Sequence, residues 1–222
     1  MKYLFNEKEL LDLFVDADND LRPMYANPYL KDGYVYAVNG FRLIRIKAEI
    51  LNGEYEPTDK MRLPIPNDNC DYLITDKDIE KALASVPQEE EVIKIGEDVE
   101  CLECAGSGKV DWEYTDNNGK MYEYEYDCPV CDGTGYAEET QEKKTGKMIP
   151  CWTSSIGFGN RCIRVDHVQT LLEAMKIIGV TEVHLVAQGN HISVFKIDEN
   201  IQVIIADYMR DADYVVTKGG QQ

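Results

Sequence analysis

The 222-residue chain has few histidines, the residues whose unperturbed side chains exchange protons near pH 7. It contains three histidines, His167, His184 and His191, and none of them lies in a recognisable nucleophile or metal-binding motif. No glycine-rich phosphate loop follows a predicted strand and opens a helix. The sequence therefore predicts a protein that is not an enzyme.

Long apolar runs are also missing. A membrane helix needs roughly 18 to 20 consecutive apolar residues, and no stretch of this chain approaches that length. The first residues, MKYLFNEKELLDLF, become acidic before a signal-peptide core could form. With a hydrophobic share of 44%, the composition is that of an ordinary soluble globule. We therefore expect a cytoplasmic protein with no membrane association.

Basic residues are scarce, with 23 Lys plus Arg against 41 Asp plus Glu and a formal net charge of -18. Such a surface repels phosphate backbones on average, so a protein partner is favoured over nucleic acid, although a local basic patch could still bind it. The predicted helices offer no basic face, since the first, over residues 6 to 20, carries Lys8 as its single base. Four arginines lie on predicted strands, where we expect ion pairs with carboxylates: Arg42, Arg45, Arg161 and Arg164.

Four of the seven cysteines occur in two copies of the pattern C-x-x-C-x-G-x-G, at residues 101 to 108 and 128 to 135. Two thiolates at this spacing can reach one tetrahedral zinc ion at about 2.3 Å each, if the chain turns sharply after the second cysteine. Glycines permit that turn with positive φ, which directs backbone NH groups at the sulfurs. The turn glycines are Gly106, Gly108, Gly133 and Gly135. We predict one structural Zn²⁺ held by Cys101, Cys104, Cys128 and Cys131.

Two other chemistries remain open for these cysteines. One is an iron-sulfur cluster, and the other is a thioredoxin-like redox pair, which requires a C-x-x-C at the start of a helix that follows a strand. A catalytic zinc is disfavoured because four thiolates leave no coordination position for water. The remaining cysteines, Cys70, Cys151 and Cys162, have no partners at ligand spacing and are predicted to be small buried hydrophobic residues.

A β-hairpin is predicted between the two cysteine pairs. The segment KVDWEYTDNNGKMYEYEYD alternates apolar and polar residues around a turn at Asn117, Asn118 and Gly119. Tyrosines at positions 122, 124 and 126 alternate with glutamates and so predict one aromatic face. We expect this face to pack over the hairpin and a neighbouring sheet, with base stacking or peptide binding as the alternatives.

Residues 101 to 136 resemble the cysteine-rich zinc domain of the DnaJ chaperones, in which the same knuckle is repeated. That family has four knuckles and two zinc ions, whereas this chain has two knuckles, which implies one zinc. No helical His-Pro-Asp turn of a J-domain is present in the sequence. The resemblance implies a DnaJ-type zinc fold and does not imply activation of a chaperone ATPase.

Outside the cysteine-rich segment, three stretches share an order of strand, capped amphipathic helix and further strands. The first has Asn6 as N-cap, a buried face of Leu10, Leu11, Phe14 and Val15, and an end at Pro23. The second has Thr75 as N-cap and buries Ile79, Leu83 and Val86. The third has Asp166 as N-cap and Gly179 as its stop, followed by three strands.

The segment AVNGFRLI at residues 37 to 44, together with the third stretch, resembles a repeat of the DNA sliding clamps, the polymerase processivity factors. The resemblance implies an α+β fold of repeated β-α-β-β-β units, here with an inserted zinc-binding hairpin. It also implies a non-enzymatic binding factor in DNA replication or maintenance. The alternative is a chaperone-like or peptide-binding zinc module with no DNA role. The predicted domains are 1–97 (units 1 and 2), 98–155 (zinc hairpin), 156–212 (unit 3) and 213–222 (tail).

Overall fold

The computed structural model describes residues 4–19, 22–58, 65–138 and 140–217. The chain forms two compact units. The first consists of Met1–Glu89 together with Pro150–Gln222, and the second of Glu90–Ile149. Each unit has its own sheets, and within the described residues no helix is long and apolar enough to cross a membrane.

The described residues are mostly β-structure with four α-helices. The helices are α1 (Glu7–Asp12), α2 (Pro23–Ala26), α3 (Asp76–Ser85) and α4 (Val165–Ile178), and a single 3-10 turn covers Ala48–Ile50. The strands in the first half of the chain are β1 (Tyr29–Lys31), β2 (Tyr34–Val38), β3 (Arg42–Lys47), β4 (Tyr72–Thr75), β5 (Gln88–Ile95), β6 (Val99–Glu100) and β7 (Lys109–Thr115). The later strands are β8 (Met121–Asp127), β9 (Tyr136–Glu138), β10 (Gln141–Pro150), β11 (Ser155–Phe158), β12 (Arg161–Arg164), β13 (Glu182–Gly189), β14 (Ile192–Lys196), β15 (Ile201–Ala206) and β16 (Tyr214–Val216).

A seven-stranded antiparallel sheet dominates the first unit, in the order β1-β2-β3-β15-β14-β13-β4. Two groups of three consecutive strands, β1 to β3 and β13 to β15, meet where β3 pairs with β15, with Ile44 opposite Val203. The strands are rich in Val and Ile, which suit a pleated surface that is buried. Strand β12, which directly precedes α4, lies in a separate sheet of order β12-β11-β16, in which β11 and β16 are parallel.

The main core of the first unit lies between helices and one face of the large sheet. Alternation along β15 places Val203 and Ile205 in this core and Ile204 in a smaller cluster with residues of the opposite face. Helix α4 is central, since eight of its side chains are buried, and both α1 and α3 pack against it. Leu10, Leu11 and Phe14 are buried as predicted, the first two on α1 and Phe14 just after its end.

Several predicted helix ends are confirmed. The Asn6 side chain accepts a hydrogen bond from Glu9 N (3.3 Å), and Thr75 forms a reciprocal capping box with Asp78. Gly179 ends α4 in the left-handed conformation (φ 81°).

Two helix predictions are wrong. The first helix ends at Asp12, and Pro23 begins the short helix α2 instead of ending a long one, because proline has no NH to satisfy at a first helical position. Asp166 is not the cap of α4. That position belongs to Arg164, and Asp166 lies in the first turn, where its carboxylate binds the Arg164 guanidinium (2.5 and 2.6 Å).

Three two-stranded sheets make up the second unit: β5 with β10, β6 with β9, and β7 with β8. The β7 and β8 pair is the predicted hairpin, and Gly119 N donates to Asp116 O in its turn. Lysines of β10 pair with carboxylates of β5, as in Lys147 with Glu91 (3.0 Å) and Lys144 with Glu90 (3.1 Å).

The predicted three-fold repeat is only partly visible. Helix α1 precedes β1 to β3 and α4 precedes β13 to β15, whereas α3 is followed by β5, which pairs with β10 in the second unit. The first stretch is predicted to open with a strand over the apolar-rich residues 2 to 5. Positions 2 and 3 lie outside the described residues, and Leu4 and Phe5 are not in a strand. The α+β class therefore holds in the coarse sense of a mostly β protein with few helices.

Candidate metal centre

The four cysteines of the two knuckles, residues 101–108 and 128–135, converge in the second unit. Their sulfur atoms all lie within 4.8 Å of one another, and all four residues are buried. Cys101 Sγ is 3.9 Å from Cys128 Sγ, and Cys104 Sγ is 3.8 Å from Cys131 Sγ. These separations are far longer than the about 2.0 Å of a disulfide, so the sulfurs are grouped without being bonded.

Each knuckle is a tight turn that directs backbone NH groups at a sulfur. Gly108 N donates to Cys104 Sγ and Gly135 N donates to Cys131 Sγ, both at 3.3 Å. Gly106 N donates to Cys101 O and Gly133 N to Cys128 O, at 3.2 and 3.1 Å. The predicted positive φ of all four glycines is confirmed, with values from 72° to 86°. Donors aimed at sulfur stabilise thiolate charge, as in the outer shell of a metal site.

The two knuckles are held together by a reciprocal pair of backbone hydrogen bonds. Cys101 N donates to Gly135 O (2.8 Å), and Cys128 N donates to Gly108 O (2.9 Å). The first cysteine of each knuckle is thereby bound to the last glycine of the other, so the two copies are related by an approximate two-fold symmetry. The hairpin connects the two knuckles along the chain, and Val110 at the start of β7 packs against the cysteine cluster.

The sequence did not reveal two further left-handed residues, Ala105 (φ 49°) and Asp132 (φ 50°). Each follows the second cysteine of its knuckle, so their equivalent positions in the duplicated pattern were the available signal. Non-glycine residues enter this region at a cost in backbone energy. Both knuckles accept that cost at the same point, which indicates that the turn geometry is required.

This arrangement fits a single tetrahedral cation. Four ligands at about 2.3 Å from one ion stand roughly 3.8 Å apart. Two of the sulfur pairs have this separation, and all four sulfurs lie within 4.8 Å. The space between the sulfurs suits one ion better than the several iron atoms of a cluster. Neither C-x-x-C begins a helix, as a thioredoxin-like pair would require. The four cysteines could therefore hold a metal ion.

The surroundings of the cluster shift the pKa values of the Cys128 and Cys131 thiols in opposite directions. Burial raises the pKa of the Cys128 thiol to about 11. At Cys131 burial also raises the pKa, but the hydrogen bond from Gly135 N and the neighbouring thiols outweigh it and bring the pKa to about 7. Four adjacent sulfurs cannot all ionise unless a cation neutralises them, so metal binding would release protons.

The other cysteines lie outside this cluster. Cys70, Cys151 and Cys162 are half-buried, so the prediction that they are buried hydrophobic residues is wrong. Cys70 Sγ contacts Leu185 O (3.5 Å) and Cys151 Sγ contacts Thr153 Oγ1 (3.2 Å). Cys70 also packs against the main core of the first unit.

The hairpin carries an exposed aromatic face, contrary to the expectation that it would be covered. Trp112 is opposite Tyr124, and Tyr114 is opposite Tyr122 with ring centroids 6.4 Å apart. More than half of the Trp112, Tyr114, Tyr124 and Tyr126 side-chain surfaces is accessible. The sequence indicated one aromatic face but could not show whether another sheet covers it.

Three of the four strand arginines are paired with carboxylates, as expected. Arg164 binds Asp166, Arg42 lies 3.9 Å from the same carboxylate, and Arg161 lies 3.6 Å from Asp207. Arg45 instead donates to Gln202 Oε1 (2.8 Å). Arg42 and Arg164 thus share one carboxylate, and Arg161 has the second.

His167 is the buried histidine of the three. Burial is the main reason that its pKa falls to about 4, and the positive charges of Arg164 and Arg42 lower it further, against the opposing effect of Asp166. Arg42 has only donors, so its contact with His167 Nδ1 (3.3 Å) requires an unprotonated acceptor nitrogen. This imidazole is a neutral member of a structural ion-pair cluster.

No protein family model matches the chain, and no curated protein matches it. Among solved structures it is similar to the DNA polymerase III subunit beta of Borrelia burgdorferi, with a TM-score of 0.42 and 10% identity over 92% of this chain and 61% of that one. The DNA polymerase sliding clamp of Bacillus subtilis gives 0.40 and 13%, over 93% and 64%. The clamp of Pseudomonas aeruginosa gives 0.39 and 10%, over 93% and 65%. The chain thus spans less than two thirds of the length of these proteins.

Proposed function

We propose that the chain is a non-enzymatic, zinc-containing binding protein, with a clamp-like scaffold as its first unit and a zinc-held binding module as its second. The observation that carries the proposal is the convergence of four buried sulfur atoms within 4.8 Å. Zinc is the preferred ion because it is bound tetrahedrally by thiolates and has no redox chemistry to control. With four protein ligands its coordination is closed, so its role is structural.

The clamp-like scaffold is supported by the large sheet of the first unit. Two helix-plus-three-strand groups, α1 with β1 to β3 and α4 with β13 to β15, join edge to edge through β3 and β15. The segment AVNGFRLI forms the turn between β2 and β3, where Asn39 Oδ1 accepts from Phe41 N and Arg42 N. We assign this scaffold to DNA replication or maintenance, with Met1–Glu89 and Pro150–Gln222 as its parts and Glu90–Ile149 as the zinc module. Residues 213–222, predicted to be a tail, include β16, which pairs with β11 in the first unit.

The partner of this scaffold is proposed to be a protein. Lys8 of α1 pairs with Asp12, and Lys176 of α4 pairs with Glu80 of α3 (3.0 Å), so these helical lysines are neutralised. Counterion release from DNA needs several unpaired lysines or arginines on one face. A net charge of -18 further disfavours duplex binding. The cytoplasmic location stays a prediction.

A second candidate function is a peptide-binding zinc module with no role on DNA. The exposed aromatic face of the hairpin favours it, because large accessible aromatic surfaces mark sites of protein contact. The two candidate functions require different units of the chain. A clamp-like factor requires the first unit for its function, whereas a peptide-binding module requires only the second.

Metal analysis of the purified chain tests the proposal. We expect one zinc per chain, lost in a Cys101→Ser, Cys128→Ser double variant and retained in a Cys70→Ser, Cys151→Ser control that removes two thiols outside the cluster. Finding no metal, or iron with visible charge-transfer absorption, contradicts the zinc assignment.

Mobility shifts of labelled duplex and single-stranded DNA, titrated from low to physiological salt, test the proposed protein partner. We expect no binding even at low ionic strength, which leaves a protein partner for either candidate. Salt-sensitive binding that survives in both double variants would assign DNA contact to the first unit and contradict the choice of a protein partner.

A further inference from the structure

The hairpin of β7 and β8 is a ribbon with two chemically different faces. The register places Val110, Trp112 and Tyr114 of β7 opposite Tyr126, Tyr124 and Tyr122 of β8, and all six side chains share one face. Trp112 retains 55% of its accessible surface and Tyr114 retains 65%. This face therefore exposes more apolar surface than is expected of a ribbon surrounded by water.

The reverse face is acidic. Asp111 lies opposite Glu125 and Glu113 opposite Glu123, so two like-charge pairs face each other across the strands. Like charges directly opposite each other destabilise a sheet. Among the described residues, the ion pair on this face joins Lys109 to Asp127. The isolated ribbon therefore contains an electrostatic strain that a neighbouring positive charge would relieve.

The ribbon also has strand edges available for pairing. Within the described part of the chain, β7 and β8 form a sheet of two strands and pair with no other strand. The outward NH and C=O groups of such strands form a template that another extended chain can pair with. Neither strand contains proline, which would block an edge.

We propose that this ribbon accepts, as an added strand, an extended segment of a partner protein in which basic and apolar residues alternate. In an added strand, alternate side chains fall on opposite faces. The apolar residues then extend the aromatic face, and the lysines or arginines lie beside the like-charge pairs Asp111 with Glu125 and Glu113 with Glu123. The inference rests on the proposed function, in which the second unit is a zinc-held binding module.

Charge selects a basic peptide over single-stranded nucleic acid, which aromatic faces can also stack. Residues 90 to 149 contain 16 Asp and Glu against six Lys, and four thiolates with one Zn²⁺ would add a net charge of about -2. The aromatic face could stack bases, but this charge repels their phosphates. The aromatic face already accepts one cation, since Lys120 Nζ lies 4.7 Å from the centre of the Tyr122 ring. A phosphate backbone would be repelled where an ammonium group is attracted.

The test uses the zinc-loaded full-length chain and fluorescent peptides of about ten residues, the upper range of strand lengths. The probe alternates lysine with valine. Its controls are a peptide of the same composition with lysines and valines in separate blocks, an alternating glutamate and valine peptide, and oligothymidine. We expect the probe to bind at least about tenfold more tightly than each control, because only its residues match both faces.

N-methylated probes test the strand geometry. Amide hydrogens of alternate residues in a strand point to the same side, so methylating one alternate set should abolish binding and methylating the other should preserve it. Equal effects of the two patterns, or no effect of either, would overturn the added strand. Tighter binding of oligothymidine than of the probe would overturn the choice of a peptide.

Protein variants locate the site. Trp112→Ala should weaken binding of the probe roughly 30-fold, as expected for a central aromatic contact. Trp152→Ala is the matched control, since Trp152 is similarly exposed (61%) but lies in the first unit. In a Trp152→Phe variant Trp112 is the single tryptophan, and its emission should shift to shorter wavelength when the probe binds.

The metal content of each sample distinguishes a failure of the added-strand proposal from a failure of the proposed function. A sample with one zinc per chain that fails to discriminate the probe from its controls overturns the added strand and leaves the zinc module intact. Equal affinity of the Trp112→Ala and Trp152→Ala variants, both with full zinc, also overturns it. A wild-type sample without zinc contradicts the proposed function itself.

Discussion

Gly108 and Gly146 have the same left-handed backbone conformation in different surroundings. Their φ angles are 72° and 79°. A Cβ atom at Gly108 would lie 2.4 Å from Gly133 O of the other knuckle, whereas a Cβ at Gly146 would meet nothing within 4 Å. Gly135 repeats the first situation, at 2.5 Å from Gly106 O. The knuckle glycines are therefore required both for conformation and for the close approach of two backbones.

This contrast gives a prediction at the residue scale. Gly108→Ala should lower zinc affinity at least about tenfold, because the backbones must separate and the reciprocal hydrogen bonds between the knuckles must lengthen. Gly146→Ala should leave zinc affinity unchanged and destabilise the chain by about 1 kcal/mol, the cost of the left-handed conformation alone. Competition with a chromophoric zinc chelator measures both variants. Equal zinc affinities would contradict the role assigned to the close contact.

The cysteines could be identified from the sequence because their signal is local. Two ligands three residues apart with glycines behind them specify a turn, and the second copy specifies the other half of the site. The half-burial of Cys70 could not be predicted in the same way. The environment of that thiol depends on Leu185, which is more than one hundred positions away along the chain.

At the scale of elements, the hairpin combines strong local signals with an unfavourable charge arrangement. Its alternation and its turn predicted two strands, and the observed register confirms the single aromatic face. The carboxylates alternate with the aromatic residues, so the same register that groups the rings also groups the charges. Both faces of the ribbon therefore follow from one feature of the sequence.

Glu123→Lys should stabilise this element. The substitution replaces a like-charge pair with an opposite-charge pair facing Glu113, which is worth about 0.5 kcal/mol in a sheet. Glu138→Lys makes the same charge change on β9, where Val99 is the opposite residue. Hydrogen exchange of the β7 and β8 amides in the zinc-loaded chain should slow in the first variant only. Equal slowing in both would assign the effect to net charge.

Elements whose partners are distant in sequence were the least predictable. The segment EVIKIG, at residues 91 to 96, closely follows the second predicted helix along the chain, but its strand β5 pairs with β10 about fifty residues later. Helix caps were more secure, as Asn6, Thr75 and Gly179 show, because a cap depends on residues within one turn. Asp166 is the exception, since α4 begins at Val165 directly after β12 and places Asp166 in its first turn.

At the scale of the whole molecule, the two units have different sources of stability. The first unit contains an extensive apolar core between helices and sheet. The buried cluster of the second unit consists of the four cysteines, with Val110 packed against them. Metal binding would thus supply much of the folding free energy of the second unit and little of that of the first.

Removing the metal should therefore unfold one unit and spare the other. We expect a strong zinc chelator to make Lys109 and Lys120 rapidly cleavable by trypsin, because both lie in the hairpin segment. Lys47 and Lys196, on strands of the large sheet, should stay protected and serve as internal controls. Mass spectrometry of timed digests identifies the cut sites. Simultaneous cleavage at all four lysines would show that the two units unfold together.

The sequence by itself determined the features that depend on neighbours within a few residues. These are the metal-ligand spacing, the glycine turns, the alternation of the hairpin and several helix caps, all governed by local backbone geometry. The tertiary structure decided which distant segments pair, where β5 and β12 belong, how deeply the remaining cysteines are buried and that the aromatic face is accessible. Those outcomes depend on packing between residues far apart along the chain, and a one-dimensional pattern of side chains does not specify them.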